Sequence, residues 1–172
     1  KSAVSEAIIR SLDKCEIVSR PNPTQLMKAK KNPIELENLR RCHIADGLAV
    51  TKLMLELKFG GREFDELSVG EYLLSLRCEC AEKTGVSFLD ESFGTIAAFG
   101  SNAAPVPMLL VDSGGQYLEG TTDITRTFVL GVISPEIKMH YTLTACGMLR
   151  LLNLVFLEGA SGSSLDIVCR EP

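Results

Sequence analysis

Between residues 33 and 57 the apolar positions Leu36, Leu39, Ala45, Leu48, Ala49, Met54 and Leu57 recur at roughly a helical period, which predicts one long amphipathic helix. Its start is well marked. Asn32 is a good N-cap, Pro33 suits the first helical position, and Glu35 sits where a capping box needs it. The Phe59-Gly60-Gly61 run ends it. A second helix is predicted to open at Ser68 with Glu71 as box partner, to bury Tyr72, Leu73, Leu76 and Cys80, and to stop near Gly85. Upstream, residues 3–12 read as a short amphipathic helix, 16–20 as a strand and 21–25 (PNPTQ) as a loop.

The period then changes. Residues 87–104 carry short β-like runs broken by glycine. The apolar run to Asp112 reads as a strand, the segment SGGQYLEG as a glycine-rich turn, and residues 121–130 as a second strand rich in threonine, isoleucine, phenylalanine and valine. A third helix is predicted from Ser134-Pro135-Glu136 to about Leu157, and a fourth from Ser163 or Ser164. No internal repeat is present. Helices packed on an antiparallel sheet, an α+β class, is the simplest arrangement for this order.

With 45% hydrophobic residues the chain can form a core without disulfide staples, so the six cysteines read as reduced thiols. Cys78-Glu79-Cys80 has neither zinc-ribbon nor thioredoxin spacing. The net charge of −4 argues against a nucleic-acid partner, and the short KAKK cluster at 28–31 reads as solvated surface. No run of about 18 apolar residues is present to span a membrane, and the first residues lack the pattern of a secretory signal. A cytoplasmic protein is expected.

Asp112 and Asp123 lie on either side of the predicted turn. If residues 108–112 and 121–129 pair as antiparallel strands, both carboxylates can face one side of the sheet. Two hard oxygen donors aimed at one point suit Mn²⁺, Mg²⁺, Co²⁺ or Zn²⁺, and one carboxylate shared between ions is the basis of two-metal hydrolytic sites. The plainer alternative is that Asp112 ends a strand while Asp123 is a turn residue or pairs with Arg126. His43 and His140, both within predicted helices, read as surface or core-edge side chains and not as ligands.

The block DSGGQY followed by EGTTDITRT resembles aminopeptidase P, or Xaa-Pro aminopeptidase, of the pita-bread metallopeptidase group. NPIELENLRRCHIADGLAV resembles the opening helix of that catalytic domain, SFGTIAAFGSNAA its substrate-side strand, and SGSSLDIVCREP the helix preceding its second half. The resemblance implies an incomplete pita-bread fold. Residues 1–30 would be the end of a preceding domain with a linker, and residues 31–172 the N-terminal half of the catalytic domain.

By the same resemblance Asp112 and Asp123 are metal ligands, Asp123 bridging two divalent ions and Asp112 binding one of them. The ions would be Mn²⁺, with Zn²⁺ or Co²⁺ as alternatives. Strand alternation puts Thr125, two residues along from Asp123, on the same side, where it is either a supporting hydroxyl or a plain strand threonine. The implied activity is removal of the N-terminal residue from peptides with proline second, in a cytosolic homodimer. Prolidase-like dipeptide cleavage and a catalytically dead binding half-domain are the alternatives.

Two departures weigh on that expectation. In the family a His-Tyr pair follows the Asn-Ala-Ala segment, whereas here SNAA (101–104) runs directly into PVPMLLVDSGG. The family's remaining three metal ligands lie beyond the CREP segment. The 172 residues alone are therefore expected to be inactive, to bind metal weakly, and to self-associate through exposed apolar surface.

Overall fold

A computed structural model describes residues 4–12, 14–18, 20, 22–102 and 107–171. The helix predicted at 3–12 is α1 (Glu6–Ser11), and Pro23, Thr24 and Gln25 of the PNPTQ expected as a loop open α2 (Pro23–Ala29). Asn22 caps α2, accepting from the Thr24 amide at 3.0 Å, and Pro23 stands at the first helical position. The strand expected at 16–20 does not form in its described residues. Neither α1 nor α2 buries a residue.

The long helix α3 (Pro33–Leu55) begins as its sequence predicts. The Asn32 side chain accepts from the amides of Ile34 and Glu35, and Glu35 accepts from the Asn32 amide at 2.8 Å. Its end differs: a π-helical turn over Glu56–Gly60 follows, and Gly61 stops it with φ +81°. The next helix, α4 (Glu66–Thr84), starts two residues before the predicted Ser68 because Asp65 is the cap. Asp65 accepts from the Ser68 amide at 2.7 Å, and the Ser68 hydroxyl accepts in return from the Asp65 amide at 2.9 Å. Gly85, left-handed at φ +67°, closes α4 as expected.

Three strands form one antiparallel sheet in the order β1-β2-β3. The glycine-broken segment is one irregular strand, β1 (Phe88–Phe99), with three register shifts against β2. The largest correction concerns the predicted glycine-rich turn. Strand β2 (Met108–Tyr117) runs straight through Ser113, Gly114, Gly115 and Gln116, and β3 is confined to Ile124–Val129. Positions 114 and 115 of this strand hold glycine because neighbours come too close for a side chain. A Cβ on Gly114 would lie 2.1 Å from the Thr122 carbonyl oxygen, and one on Gly115 would lie 2.6 Å from the Tyr117 ring.

The two long helices cover one face of the sheet. Leu53 of α3 and Leu73 of α4 are fully buried against Leu109, Val111 and Phe128. Burying each such leucine contributes about 1.5–3 kcal/mol, so Leu73→Ala removes both that term and packing, about 2–5 kcal/mol. A satellite cluster of Cys42, Ala45, Ala81, Val86 and Tyr117 seals the far end of the same layer.

Helices α5 (Pro135–Leu152, shorter than the predicted run to Leu157) and α6 (Gly162–Arg170) pack on one another. Gly147 is the contact point, since a Cβ there would lie 2.4 Å from the Cys169 carbonyl oxygen. Tyr141, Leu152, Val155, Leu157 and Ile167 remain exposed on this pair and the segment between its helices. No helix among the described residues is long and apolar enough to cross a membrane. The six cysteines are unpaired.

Candidate metal centre

Asp112 stands on β2 directly opposite Thr125 of β3, and the Thr125 hydroxyl donates to Asp112 Oδ1 at 2.6 Å. Paired residues of an antiparallel ladder project to the same side, so this bond fixes the face on which Asp112 stands. Asp112 is half-buried and Thr125 exposed. On the other side of Asp112, β1 presents Ile96.

Asp123 lies one residue before β3. The ladder pairs Ser113 with Ile124, and the isolated bridge between Gln116 and Thr121 keeps the same register. Asp123 therefore falls opposite Gly114, and the strand period of two turns it away from the buried Thr122 toward the side shared by Thr125 and Asp112. The structure thus brings the three predicted residues to one face, the one α3 and α4 leave uncovered.

Asp112 lies within β2 and does not end it, while Asp123 is exposed in the connection that precedes β3. Arg126 Nη1 donates to the Thr125 carbonyl at 2.7 Å, and among the described residues neither Asp112 nor Asp123 takes part in an ion pair. Two carboxylate groups without a cationic partner, beside a hydroxyl donor, form an oxygen-rich set that suits a hard divalent cation. Among the described residues no third histidine, cysteine or carboxylate joins them in a cluster able to hold an ion. His43 is exposed and its Nδ1 lies 2.8 Å from the Leu39 carbonyl oxygen within α3. His140 is exposed beside Glu136 of its own helix. The Ala104-Pro105 junction lies outside the described residues.

The reverse face of the same strands holds a polar network that the sequence reading missed. Asp46 of α3 and Arg77 of α4 form an ion pair at 2.6 Å with both side chains fully buried. Arg77 Nη2 donates to Ser113 Oγ at 2.9 Å, and the Thr122 hydroxyl donates to Asp46 Oδ2. Thr122 Oγ1 also accepts from the Gly115 amide at 2.8 Å. Ser113 and Thr122 are the chain neighbours of Asp112 and Asp123. Arg77 Nη1 and the Tyr117 hydroxyl find no protein partner. Burial, with Asp46 nearby, pushes the Tyr117 phenol above its ordinary pKa.

The C-terminal end of β1 is pinned from α4. Glu66 accepts from the Phe99 amide at 2.7 Å and from Asn102 Nδ2 at 2.8 Å, and these two bonds, the amide first, hold its carboxyl below the usual pKa. A cavity of about 510 Å³ opens here, lined by Arg62, Phe64, Glu66, Phe99, Asn102 and Leu130 among others.

The model of metallopeptidase family M24 matches residues 37–172. A probable Xaa-Pro aminopeptidase P of Tuber melanosporum is 36% identical over 87% of this chain and 26% of its own length. Aminopeptidase P1 of Arabidopsis thaliana is 34% identical, covering 96% of this chain and 31% of its own length. Its alignment runs over 199 positions, more than the 172 residues here, so that relative carries segments this chain lacks.

Among solved structures, X-prolyl aminopeptidase of Caenorhabditis elegans, described as a cytosolic enzyme with a di-nuclear active site, superposes with a TM-score of 0.71. It is 28% identical over 87% of this chain and 27% of its own. Prolidase of Pyrococcus furiosus shares the fold, with a TM-score of 0.68 at 20% identity over 99% of this chain and 52% of its own. The architecture is a partial pita-bread domain, with helices on a three-stranded antiparallel sheet. The chain spans about a quarter to a third of the length of the curated relatives it matches.

Proposed function

This chain belongs to metallopeptidase family M24, and from that premise we propose that it supplies the aspartate part of a divalent-metal site in an aminopeptidase that removes the first residue from Xaa-Pro peptides. The observation that carries the reading is the placement of Asp112, Asp123 and Thr125 on one uncovered face of the sheet, with both carboxylates free of cationic partners among the described residues. Residues 31–172 then form the N-terminal half of the catalytic domain. The lack of buried side chains in α1 and α2 agrees with residues 1–30 being the end of a preceding domain and a linker.

Asp112 and Asp123 would hold the ions, and Thr125 would keep Asp112 oriented through its 2.6 Å hydrogen bond. When bound, such ions polarise a scissile carbonyl and lower the pKa of a water. The oxygen-only donor set favours Mn²⁺, with Co²⁺ and Zn²⁺ as alternatives. Two carboxylates fill at most about four of the roughly ten to twelve positions that two ions require. Residues 1–172 by themselves are therefore expected to be inactive, with other ligands needed for turnover. A cytoplasmic homodimer belongs to the same reading. The exposed apolar side chains of α5 and α6 support self-association.

The test is an assay of the purified protein carrying this segment, stripped with chelator and reloaded with Mn²⁺. The expected result is release of the first residue from Xaa-Pro-Xaa peptides, abolished by Asp112→Asn and by Asp123→Asn. Preference for Xaa-Pro dipeptides would move the assignment to a prolidase-like enzyme. Aspartate-dependent Mn²⁺ binding without turnover of either peptide would make it a binding half-domain.

A further inference from the structure

We infer that Asp46 and Arg77 are positioning residues for the metal centre, holding Asp112 and Asp123 in place through Ser113 and Thr122 on the opposite face of the same two strands. The inference rests on the metal-site reading above and extends it to residues that touch no ion.

The geometry is specific. Each candidate ligand is one residue from a side chain anchored in the buried network: Asp112 from Ser113, and Asp123 from Thr122. Because successive strand residues face opposite sides, a neighbour fixed inward fixes the direction of the carboxylate outward. The two anchors meet on one ion pair. Arg77 holds Ser113 at 2.9 Å and Asp46 at 2.6 Å, while Asp46 Oδ2 accepts from Thr122. The relative placement of Ser113 and Thr122 is thus set by one fully buried unit spanning α3 and α4.

The Asp123 end needs this support most. It lies outside the ladder of β3, and Thr122 is held by its amide on the Gly115 carbonyl at 2.9 Å and by its hydroxyl, which accepts from the Gly115 amide. Removing the hydroxyl would release the link to Asp46 and leave the Gly115 amide without an acceptor. A hydrophobic pair could tie α3 to α4 equally well. What the charged pair adds is two directed hydrogen bonds to the residues flanking the carboxylates.

The test is Mn²⁺ binding by the purified protein carrying this segment, followed by electron paramagnetic resonance of the free ion, with thermal unfolding recorded for each variant. Thr122→Val, nearly isosteric, is expected to weaken Mn²⁺ binding by about 10- to 100-fold at a temperature where the variant is folded, and Thr122→Ser to restore it. Ser113→Ala is expected to act in the same direction and decides the matter if Thr122→Val does not fold. Unchanged affinity in folded Thr122→Val or Ser113→Ala, with Asp112→Asn abolishing binding, would overturn the inference while leaving the metal site standing. Unchanged affinity in Asp112→Asn would overturn the metal-site reading and this inference with it.

Discussion

The Arg77 guanidinium meets the Asp46 carboxylate at 2.6 Å with neither side chain exposed to solvent, joining α3 to α4 beneath the strands that carry Asp112 and Asp123. Removing one member leaves the other charged and buried without its partner. Asp46→Asn and Arg77→Met are each expected to destabilise the fold by about 3–5 kcal/mol. Urea unfolding of each variant and of the double variant measures this, and a double variant much less damaged than either single one identifies the unpaired charge as the cause.

The close approach between β2 and the residues before β3 makes a second expectation. Gly114→Ala would drive a Cβ into the Thr122 carbonyl, a backbone atom that cannot move without shifting the Asp123 turn. A loss of about 1–3 kcal/mol is expected. In contrast Gly47→Ala, on α3 with open space around its Cβ position, should be neutral or stabilising by up to about 1 kcal/mol. Equal effects in thermal melts of the two variants would contradict the packing argument.

These glycines also show what could be read from the chain and what could not. The capping box of Asn32 and Glu35 was legible because all its parts lie within four residues. The cap of α4 is ambiguous in sequence because Ser68 with Glu71 fits the pattern as well as Asp65 with Ser68, and only the fold selects Asp65. Gly114-Gly115 read as a turn because glycine usually marks one, whereas here it marks the close approach of the Thr122 backbone and the Tyr117 ring, which no local pattern encodes.

The facing of Asp123 with Thr125 follows from strand alternation, whereas that of Asp112 needs the register that sets it opposite Thr125. The Asp46–Arg77 pair follows from neither, since its members are 31 residues apart on different helices. A signal was present nonetheless. Asp46 falls in phase with Cys42, Ala49, Val50 and Leu53, and Arg77 with Leu73 and Cys80, so each charge interrupts an apolar stripe.

A third expectation concerns the unpartnered Tyr117 hydroxyl, buried at 1% exposure and without a protein hydrogen bond. Tyr117→Phe keeps the edge-on ring contact with Phe88 and deletes the orphaned group. The variant is expected to be as stable as the parent, or more stable by about 1–2 kcal/mol. A clear loss of stability in urea unfolding would show that the hydroxyl is satisfied in solution.

Acid sensitivity is the fourth. Hydrogen bonding from the Ser68 amide, then from its hydroxyl, holds the Asp65 carboxyl below its ordinary value of 3.8. A carboxylate depressed in the folded state contributes its stabilisation above the unfolded pKa and loses it as pH falls through the folded one. The contribution is therefore complete above about pH 4 and declines below it. Asp65→Asn retains a cap that does not titrate, so its melting temperature should fall less than the parent's between pH 4 and the acid limit. Parallel pH profiles would contradict this.

The central claim is that Asp112 and Asp123 together attract a divalent cation to the uncovered face of the sheet. The most direct measurement is paramagnetic broadening of backbone amide signals by substoichiometric Mn²⁺. Broadening should centre on Asp112, Ser113, Asp123, Ile124 and Thr125, and should vanish from that set in Asp123→Asn. Broadening spread over the other carboxylates of the surface, or centred elsewhere and unchanged in the variant, would contradict the assignment.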